Sequence, residues 1–144
     1  MSLIVAIDFD GTIAEHRFPE IGKEVPLAFR YMKEFQEAGA RLILFTMRSD
    51  RNAPSQKSCE GHAADRAYLW EAVVFCRARG VEFWGLNRNP EQDAWTDSPK
   101  PYAHIYIDDA AFGCPLRDSF QTERKMVDWA VVGPAVMQAI RDHT

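Results

Sequence analysis

The stretch LIVAIDFDGT, residues 3–12, decides the fold of this chain. Its first half, Leu3 to Ile7, is apolar, rich in β-branched residues and too short for a helix, which is typical of a strand covered on both faces of a parallel sheet. Side chains repeat every two residues in extended backbone, so we expect Asp8 and Asp10 to project to the same side. Two carboxylates held this close repel each other, and a divalent cation or a shared proton must offset that repulsion.

The composition is that of an ordinary globular chain. Of its 144 residues, 47% are hydrophobic and 26% are charged, which suffices for a substantial core but is short of what two domains usually need. We therefore expect residues 1–144 to form a single domain. The formal net charge of −4 provides no general attraction to nucleic acid or to an anionic membrane.

The apolar stretches and the cysteines both favour a cytoplasmic protein with no membrane partner. The longest apolar stretch, Trp129 to Met137, contains Gly133 and Pro134 and falls short of the ~20 residues that a membrane span needs. The N-terminal apolar run lacks the basic flank of a signal peptide. The three cysteines lie far apart and form no C-x-x-C pair, as is typical of reduced thiols.

A strand–helix–strand unit follows from the next segment of the chain. Apolar residues at helical spacing, with Pro26 at the start and Gly39 just past the end, predict a helix from Pro26 to Ala38. The apolar run from Arg41 to Phe45 predicts a second buried strand. A right-handed crossover makes the two strands parallel, so their carboxyl ends share one edge of the sheet.

The rest of the chain continues this alternation. The expected elements are a helix over Ala63–Arg79 with Trp70 and Phe75 in the core, strands over Val81–Leu86 and His104–Ile107, a short edge strand within Met126–Val132, and a helix from Pro134 to Arg141. The polar segment Ser49–Gly61 has nearly balanced charges and is interpreted as a solvated loop in preference to a lid. The expected fold class is α/β with a central parallel sheet.

Polar side chains follow three of these strands at their carboxyl ends, where open parallel sheets bind their ligands. The candidate residues at this edge are Asp8, Asp10, Thr46, Arg48, Asp108 and Asp109, with Lys100 on a loop that leads into it. Because several strands deliver polar groups to one edge, we expect them to form a single site.

The segment Asp8-Phe9-Asp10-Gly11-Thr12 resembles DxDGT, the first motif of the haloacid dehalogenase superfamily, most of whose members are magnesium-dependent phosphohydrolases. The resemblance continues in the strand that ends at Thr46, in Lys100, and in the acid pair Asp108-Asp109, and it spans about residues 3–112. It implies a three-layer sandwich with a Rossmann-like parallel sheet.

The resemblance also implies a role for each acidic residue. Asp8 would be the nucleophile that forms an aspartyl-phosphate, and Asp10 the acid that protonates the leaving oxygen and then the base that activates water. Mg²⁺ would be held by Asp8, the backbone carbonyl of Asp10 and Asp108, with Asp109 holding a bound water or the lysine. Adjacent residues alternate sides, so only one of Asp108 and Asp109, preferably Asp108, is expected to point directly at the metal.

Three further residues are expected to bind the phosphate. Thr46 offers a hydroxyl donor to a phosphoryl oxygen, and Lys100 offers a point charge that also screens Asp8. Arg48 is open to two interpretations: its guanidinium binds a substrate phosphate or carboxylate, or it pairs with Asp50.

No segment is long enough for the cap domain that many superfamily members carry, so the chain resembles the capless class. An open site does not exclude water by itself, which points to a homo-oligomer or to a large substrate. The partner expected from the chemistry is a phosphorylated small molecule or a phosphorylated end of a macromolecule.

The function expected from these features is a Mg²⁺-dependent phosphomonoester hydrolase. Two alternatives remain open: a phosphate- or metal-binding regulatory module without turnover, and a phosphotransferase that excludes water from the intermediate.

Overall fold

The structure, a computed structural model, describes residues 2–50 and 66–143 and contains a four-stranded parallel sheet. Its strands are β1 (Ile4–Ile7), β2 (Arg41–Leu44), β3 (Gly85–Leu86) and β4 (Ile105–Ile107), in the order β3-β2-β1-β4. The central strand β1 pairs Val5 with Leu42 of β2 on one side and with Ile105 of β4 on the other. The predicted α/β class with a central parallel sheet is confirmed.

The α-helices of the described ranges are α1 (Ala28–Glu37), α2 (Tyr68–Arg77) and α3 (Trp129–His143). Their buried side chains join the odd-numbered residues of β1 and the even-numbered residues of β2 in one core cluster. The other sheet face carries a smaller cluster of Ile4, Ala6, Ile43 and Ala103. This second face is covered, in the part of the chain described, by the segment 87–104 with its single 3₁₀ turn, Gln92–Ala94.

The first two helices differ from expectation in their bounds and in the face they bury. Helix α1 begins after Leu27, whose left-handed backbone (φ 71°) ends the preceding loop, while Gly39 takes the expected positive φ of 93° past its end. Helix α2 buries Ala72, Val73 and Cys76. Trp70, predicted to be in the core, is 44% exposed, and Arg77 stacks on its ring.

The bounds of the later elements also differ. The strand expected over Val81–Leu86 forms a ladder only at Gly85–Leu86. The expected edge strand is β6 (Met126–Val127), which pairs with β5 (Leu116–Arg117) in a separate antiparallel hairpin and does not join the main sheet. The last helix begins at Trp129 and continues through Pro134, because burial of Trp129, Val132 and Gly133 outweighs the missing N–H of the proline. Most of the predicted loop Ser49–Gly61 lies outside the described residues.

The C-terminal segment holds the loop that follows β1. The backbone N–H of Val127 donates to the carbonyl of Gly11 at 2.9 Å, and the indole Nε1 of Trp129 donates to the carbonyl of Thr12 at 2.7 Å. Helix α3 packs closely on α1, since a Cβ added at Gly133 would collide with the ring of Tyr31. The fold thus uses its last helix to position the first motif.

None of the helices in the described ranges has the length and apolar character that crossing a bilayer requires.

Substitution of Trp129 by Phe should destabilise the protein while keeping most of the buried ring. The carbonyl of Thr12 would lose its indole donor inside the core, and a buried unsatisfied group of this kind costs about 1–3 kcal/mol. Urea unfolding of wild type and variant measures the difference. The matched control is Trp95→Phe at an exposed position, for which we expect a change within about 0.5 kcal/mol; equal losses in the two variants would contradict the role given to Trp129.

Candidate functional site

A pocket of about 310 Å³ lies at the carboxyl edge of the sheet, between the ends of β1 and β4. This is the point where the strand order reverses, and parallel sheets bind their ligands there. Six of the seven residues predicted for the site line this pocket: Asp8, Asp10, Thr46, Arg48, Asp108 and Asp109.

Three carboxylates form a compact cluster in this pocket. Asp8, Asp108 and Asp109 each offer an oxygen, and the three oxygens lie within 4.8 Å of one another. Both adjacent acids, Asp108 and Asp109, bring an oxygen to this cluster, whereas strand alternation predicted that only one of them points directly at the metal. The chain turns immediately after β4, where the N–H of Ala110 donates to Oδ1 of Asp108 at 2.8 Å, so the alternation of an extended strand does not apply.

The electrostatics of the cluster call for a cation. Burial, together with the negative charge of Asp108, raises the pKa of Asp8 from its ordinary value of 3.8 to about 8. Burial likewise raises the pKa of Asp108, with the charge of Asp109 acting in the same direction. A divalent cation with a preference for oxygen ligands would remove this repulsion, so the donor set fits such an ion.

Side chains and backbone of the loop after β1 contact the cluster of three carboxylates. The hydroxyl of Thr12 lies 3.2 Å from Oδ2 of Asp8 and accepts the backbone N–H of Asp109 at 3.2 Å. Nε2 of His16 lies 2.8 Å from Oδ2 of Asp109. Gly11 has a positive φ of 86°, and a Cβ there would collide with the His16 ring and the Asp109 carboxylate. Glycine is therefore required at this point both for its backbone and for the space it leaves.

Asp10 has a different environment from the other acids. Its carboxylate forms a bidentate ion pair with Arg48, in which Nε donates to Oδ2 and Nη2 donates to Oδ1, each at 2.9 Å. Its carboxylate is not part of the three-acid cluster. The pocket therefore contains two kinds of carboxylate: a cluster of three acids, in which His16 contacts Asp109, and Asp10, which is held by an arginine.

Arg48 takes neither of the two roles expected for it. Besides Asp10, its guanidinium donates to the backbone carbonyls of Pro19 at 3.3 Å and Glu20 at 2.7 Å. Only 1% of the side chain is exposed. All three of its nitrogens bind protein atoms, so Arg48 pairs with Asp10 in place of Asp50 and has no nitrogen left to bind a substrate.

Thr46 lies at the expected place in the pocket. Its hydroxyl oxygen accepts the backbone N–H of Arg48 at 3.1 Å, and its own N–H donates to Oδ1 of Asn87 at 2.7 Å. These contacts fix the backbone beyond β2 and leave the proton of the threonine hydroxyl available to a ligand.

Lys100 is the predicted site residue that the structure does not bring to the pocket. Its Nζ lies 5.1 Å from the ring centroid of Tyr106, and it lines a separate pocket with Gln92 and Trp95. The side-chain amide of Gln92 donates to the Lys100 carbonyl at 3.0 Å and so fixes this segment over the second face of the sheet. The expectation that Lys100 screens Asp8 is therefore not supported by its position.

Five pocket residues were missed from the sequence: His16, Phe18, Met47, Ala110 and Arg124. Phe18 is 58% exposed and Met47 is 97% exposed, so the rim is partly apolar. The first four lie within eight residues of a predicted site residue, and that proximity is a weak signal. No local pattern indicated Arg124, because a hairpin distant in sequence delivers it.

Comparison with known proteins shows that this chain is similar to a protein of known structure. It is similar to a conserved protein from Bacteroides thetaiotaomicron, with 34% identity, 96% of this chain and 93% of that chain covered, and a TM-score of 0.69. This chain belongs to the family of that conserved protein. The match extends over nearly all of both chains and supports the α/β fold. No protein-family model and no curated protein matches the chain.

The metal-free protein should lose stability as the pH rises from about 4 to about 8. Over this range the folded protein keeps a proton on Asp8 that the unfolded chain has released, because the folded pKa is raised from 3.8 to about 8. The free energy of unfolding therefore falls with increasing pH, and Asp8→Asn should flatten this slope. Urea unfolding in EDTA between pH 5 and pH 9 measures it.

Magnesium provides the second half of this test. At pH 8 we expect Mg²⁺ to raise the melting temperature of the wild type and to raise that of Asp8→Asn much less. Asp97→Asn, at an exposed position, is the matched control and should keep both the pH slope and the magnesium response. A pH slope in Asp8→Asn equal to that of the wild type would contradict the electrostatic account of the cluster.

Proposed function

We propose that this protein is a Mg²⁺-dependent phosphomonoester hydrolase that acts through an aspartyl-phosphate on Asp8, the chemistry of the superfamily that its first motif resembles. The observation that carries the proposal is the presence of two kinds of carboxylate in one pocket. The cluster of Asp8, Asp108 and Asp109 suits a cation, while Asp10 is held apart by Arg48. Phosphoryl transfer by this route needs both a metal-associated nucleophile and a separate proton carrier.

The metal would be held by Asp8 and Asp108, with Asp109 contributing directly or through water and the backbone carbonyl of Asp10 as a further ligand. When bound, Mg²⁺ would lower the pKa of Asp8, so that this carboxylate is ionised at neutral pH, and would offset charge on the phosphoryl oxygens. Asp8 then attacks phosphorus, and its bond to phosphorus forms as the bond to the leaving oxygen breaks.

Asp10 moves the protons in both half-reactions. It gives a proton to the leaving oxygen in the first step and takes one from the attacking water in the second. The two hydrogen bonds from Arg48 fix the position of its carboxylate, which makes Arg48 a positioning residue in this proposal. The hydroxyl of Thr46 is free to donate to a phosphoryl oxygen.

The substrate and the cell compartment follow from the same proposal. The substrate is a phosphorylated small molecule or macromolecule end, and water exclusion from the open pocket would come from a bulky substrate or from a second subunit. The free thiols of Cys76 and Cys114 fit a reducing compartment, so the proposal includes a cytoplasmic location.

Asp8→Asn and chelation of the metal should each abolish turnover. A panel of p-nitrophenyl phosphate, sugar phosphates, nucleotides, phosphopeptides and phosphorylated oligonucleotides, assayed for released phosphate, tests this. We expect kcat to fall at least about a thousandfold, because in this proposal the Asp8 carboxylate is the group that attacks phosphorus, and an amide is a much poorer nucleophile. Asp97→Asn serves as the control and should keep wild-type kcat.

Three outcomes would count against the proposal. Undiminished activity in Asp8→Asn would remove Asp8 from the chemistry. Tight Mg²⁺ binding by a wild type that hydrolyses nothing in the panel would favour a regulatory module. Products that contain transferred phosphate and no free phosphate would favour a phosphotransferase.

Arg48→Lys should affect substrates according to their leaving groups. Lysine keeps the charge but does not hold a carboxylate in a bidentate pair, so Asp10 would lose its fixed position. We expect kcat to fall at least about tenfold more for an alkyl phosphate than for p-nitrophenyl phosphate, whose leaving group needs little protonation. Asp10→Asn should give the same pattern, and the double variant should add little to it. Equal losses on both substrates would contradict a positioning role for Arg48.

A further inference from the structure

Among the residues that the structure describes, one basic side chain of the pocket is available to receive a phosphate. Three basic side chains line the pocket within the described ranges: His16, Arg48 and Arg124. His16 lies against Asp109, and Arg48 has all its nitrogens bound to Asp10 and to backbone carbonyls. Among the described residues no side chain pairs with the guanidinium of Arg124, whose backbone N–H alone donates to the hydroxyl of Thr122.

The charge of the described pocket residues favours an additional cation. The carboxylates of Asp8, Asp108 and Asp109 exceed the charge of one divalent cation when His16 beside Asp109 is neutral, and Asp10 and Arg48 cancel each other. A phosphate dianion would then approach a pocket that still has a negative charge. One additional cation on the side from which the substrate enters would remove that barrier.

A hairpin holds Arg124 at the pocket. Strands β5 and β6 pair Arg117 with Met126, and the intervening loop, residues 118–125, carries Arg124. The hydroxyl of Ser119 donates to the buried carboxylate of Glu15, which ties this loop to the segment following the first motif. An ion pair of Lys125 with Asp118, at 2.6 Å, closes the base of the loop.

We propose that Arg124, presented by the β5–β6 hairpin, is the residue that binds the phosphate group of the substrate in this pocket, the role that the sequence suggests for Lys100. The inference rests on the proposed function, since it names the phosphate ligand of the same site. A guanidinium offers two parallel donors to a phosphate. The exposed position of Arg124, without a side-chain partner among the described residues, suits a pocket that the substrate enters from solvent.

The test uses the full chain with Mg²⁺ and inorganic phosphate as the probe, measured by isothermal titration calorimetry. Arg124→Ala should weaken phosphate binding at least about tenfold, and Arg124→Lys should recover part of the loss because it keeps the charge without the planar fork. Lys100→Ala, the rival, and Arg30→Ala, a charge-matched control on the exposed face of α1, should bind phosphate within about twofold of the wild type.

Two controls separate the possible failures. The magnesium-dependent rise in melting temperature should be equal in wild type and Arg124→Ala, which shows that the acidic cluster is intact. With a substrate that the wild type hydrolyses, Arg124→Ala should raise KM more than it lowers kcat. Phosphate binding by Arg124 in a wild type without turnover would support this inference and defeat the proposed hydrolase.

Three results would overturn the inference: wild-type phosphate affinity in Arg124→Ala, loss of affinity in Lys100→Ala in its place, or no phosphate binding by the magnesium-loaded wild type. Each of these can occur in an active phosphatase, so the failure of the inference is distinguishable from the failure of the proposed function.

Discussion

The repulsion among three carboxylates at the end of the central strand is the constraint on which the rest of the site depends. Burial raises the pKa of Asp8, and the nearby carboxylates of Asp108 and Asp109 act in the same direction, so that this pKa is about 8. Chains avoid such an arrangement unless it serves a purpose, because it reduces folding stability at neutral pH. The parallel pairing of β1 with β4 supplies the rigid backbone that holds these acids together.

Contacts from distant parts of the chain stabilise the loop that carries these carboxylates. Two successive carbonyls of the loop after β1 receive donors from the C-terminal segment, one from the backbone of Val127 and one from the indole of Trp129. The acid cluster therefore rests on helix α3 as well as on the sheet. This explains how a strand of only four residues, Ile4–Ile7, can carry a loop whose side chains repel one another.

The sequence was most informative for features that depend on residues close together in the chain. The apolar run of β1 and the acids that follow it predicted both the buried strand and the edge of the sheet where the pocket lies, because the parallel strands of such a sheet share one carboxyl edge. It was less informative for α2, where Trp70 is exposed: a ten-residue helix with apolar residues on several sides does not reveal which face packs. The start of α3 was missed because packing of Trp129 overrides the usual effect of Pro134.

The placement of single cations was the least predictable feature. Lys100 was assigned to the site by its order in the chain, yet its segment is fixed over the other sheet face by Gln92. Arg124 has no signal of its own, since only the pairing of two two-residue strands, β5 and β6, brings it to the pocket. Such short ladders leave almost no pattern in a sequence.

The pair of Asp10 and the buried Arg48 has a consequence for how this family can diverge. The two residues belong to the loops that follow neighbouring strands, and loss of Asp10 alone would leave the buried guanidinium of Arg48 without its counterpart, a state that costs about 3–5 kcal/mol. A lineage that changes position 10 must therefore lose stability or change position 48 as well. The residues at positions 10 and 48 should accordingly vary together among members of the family. The pair of residues would then distinguish a branch of the family more reliably than either residue alone.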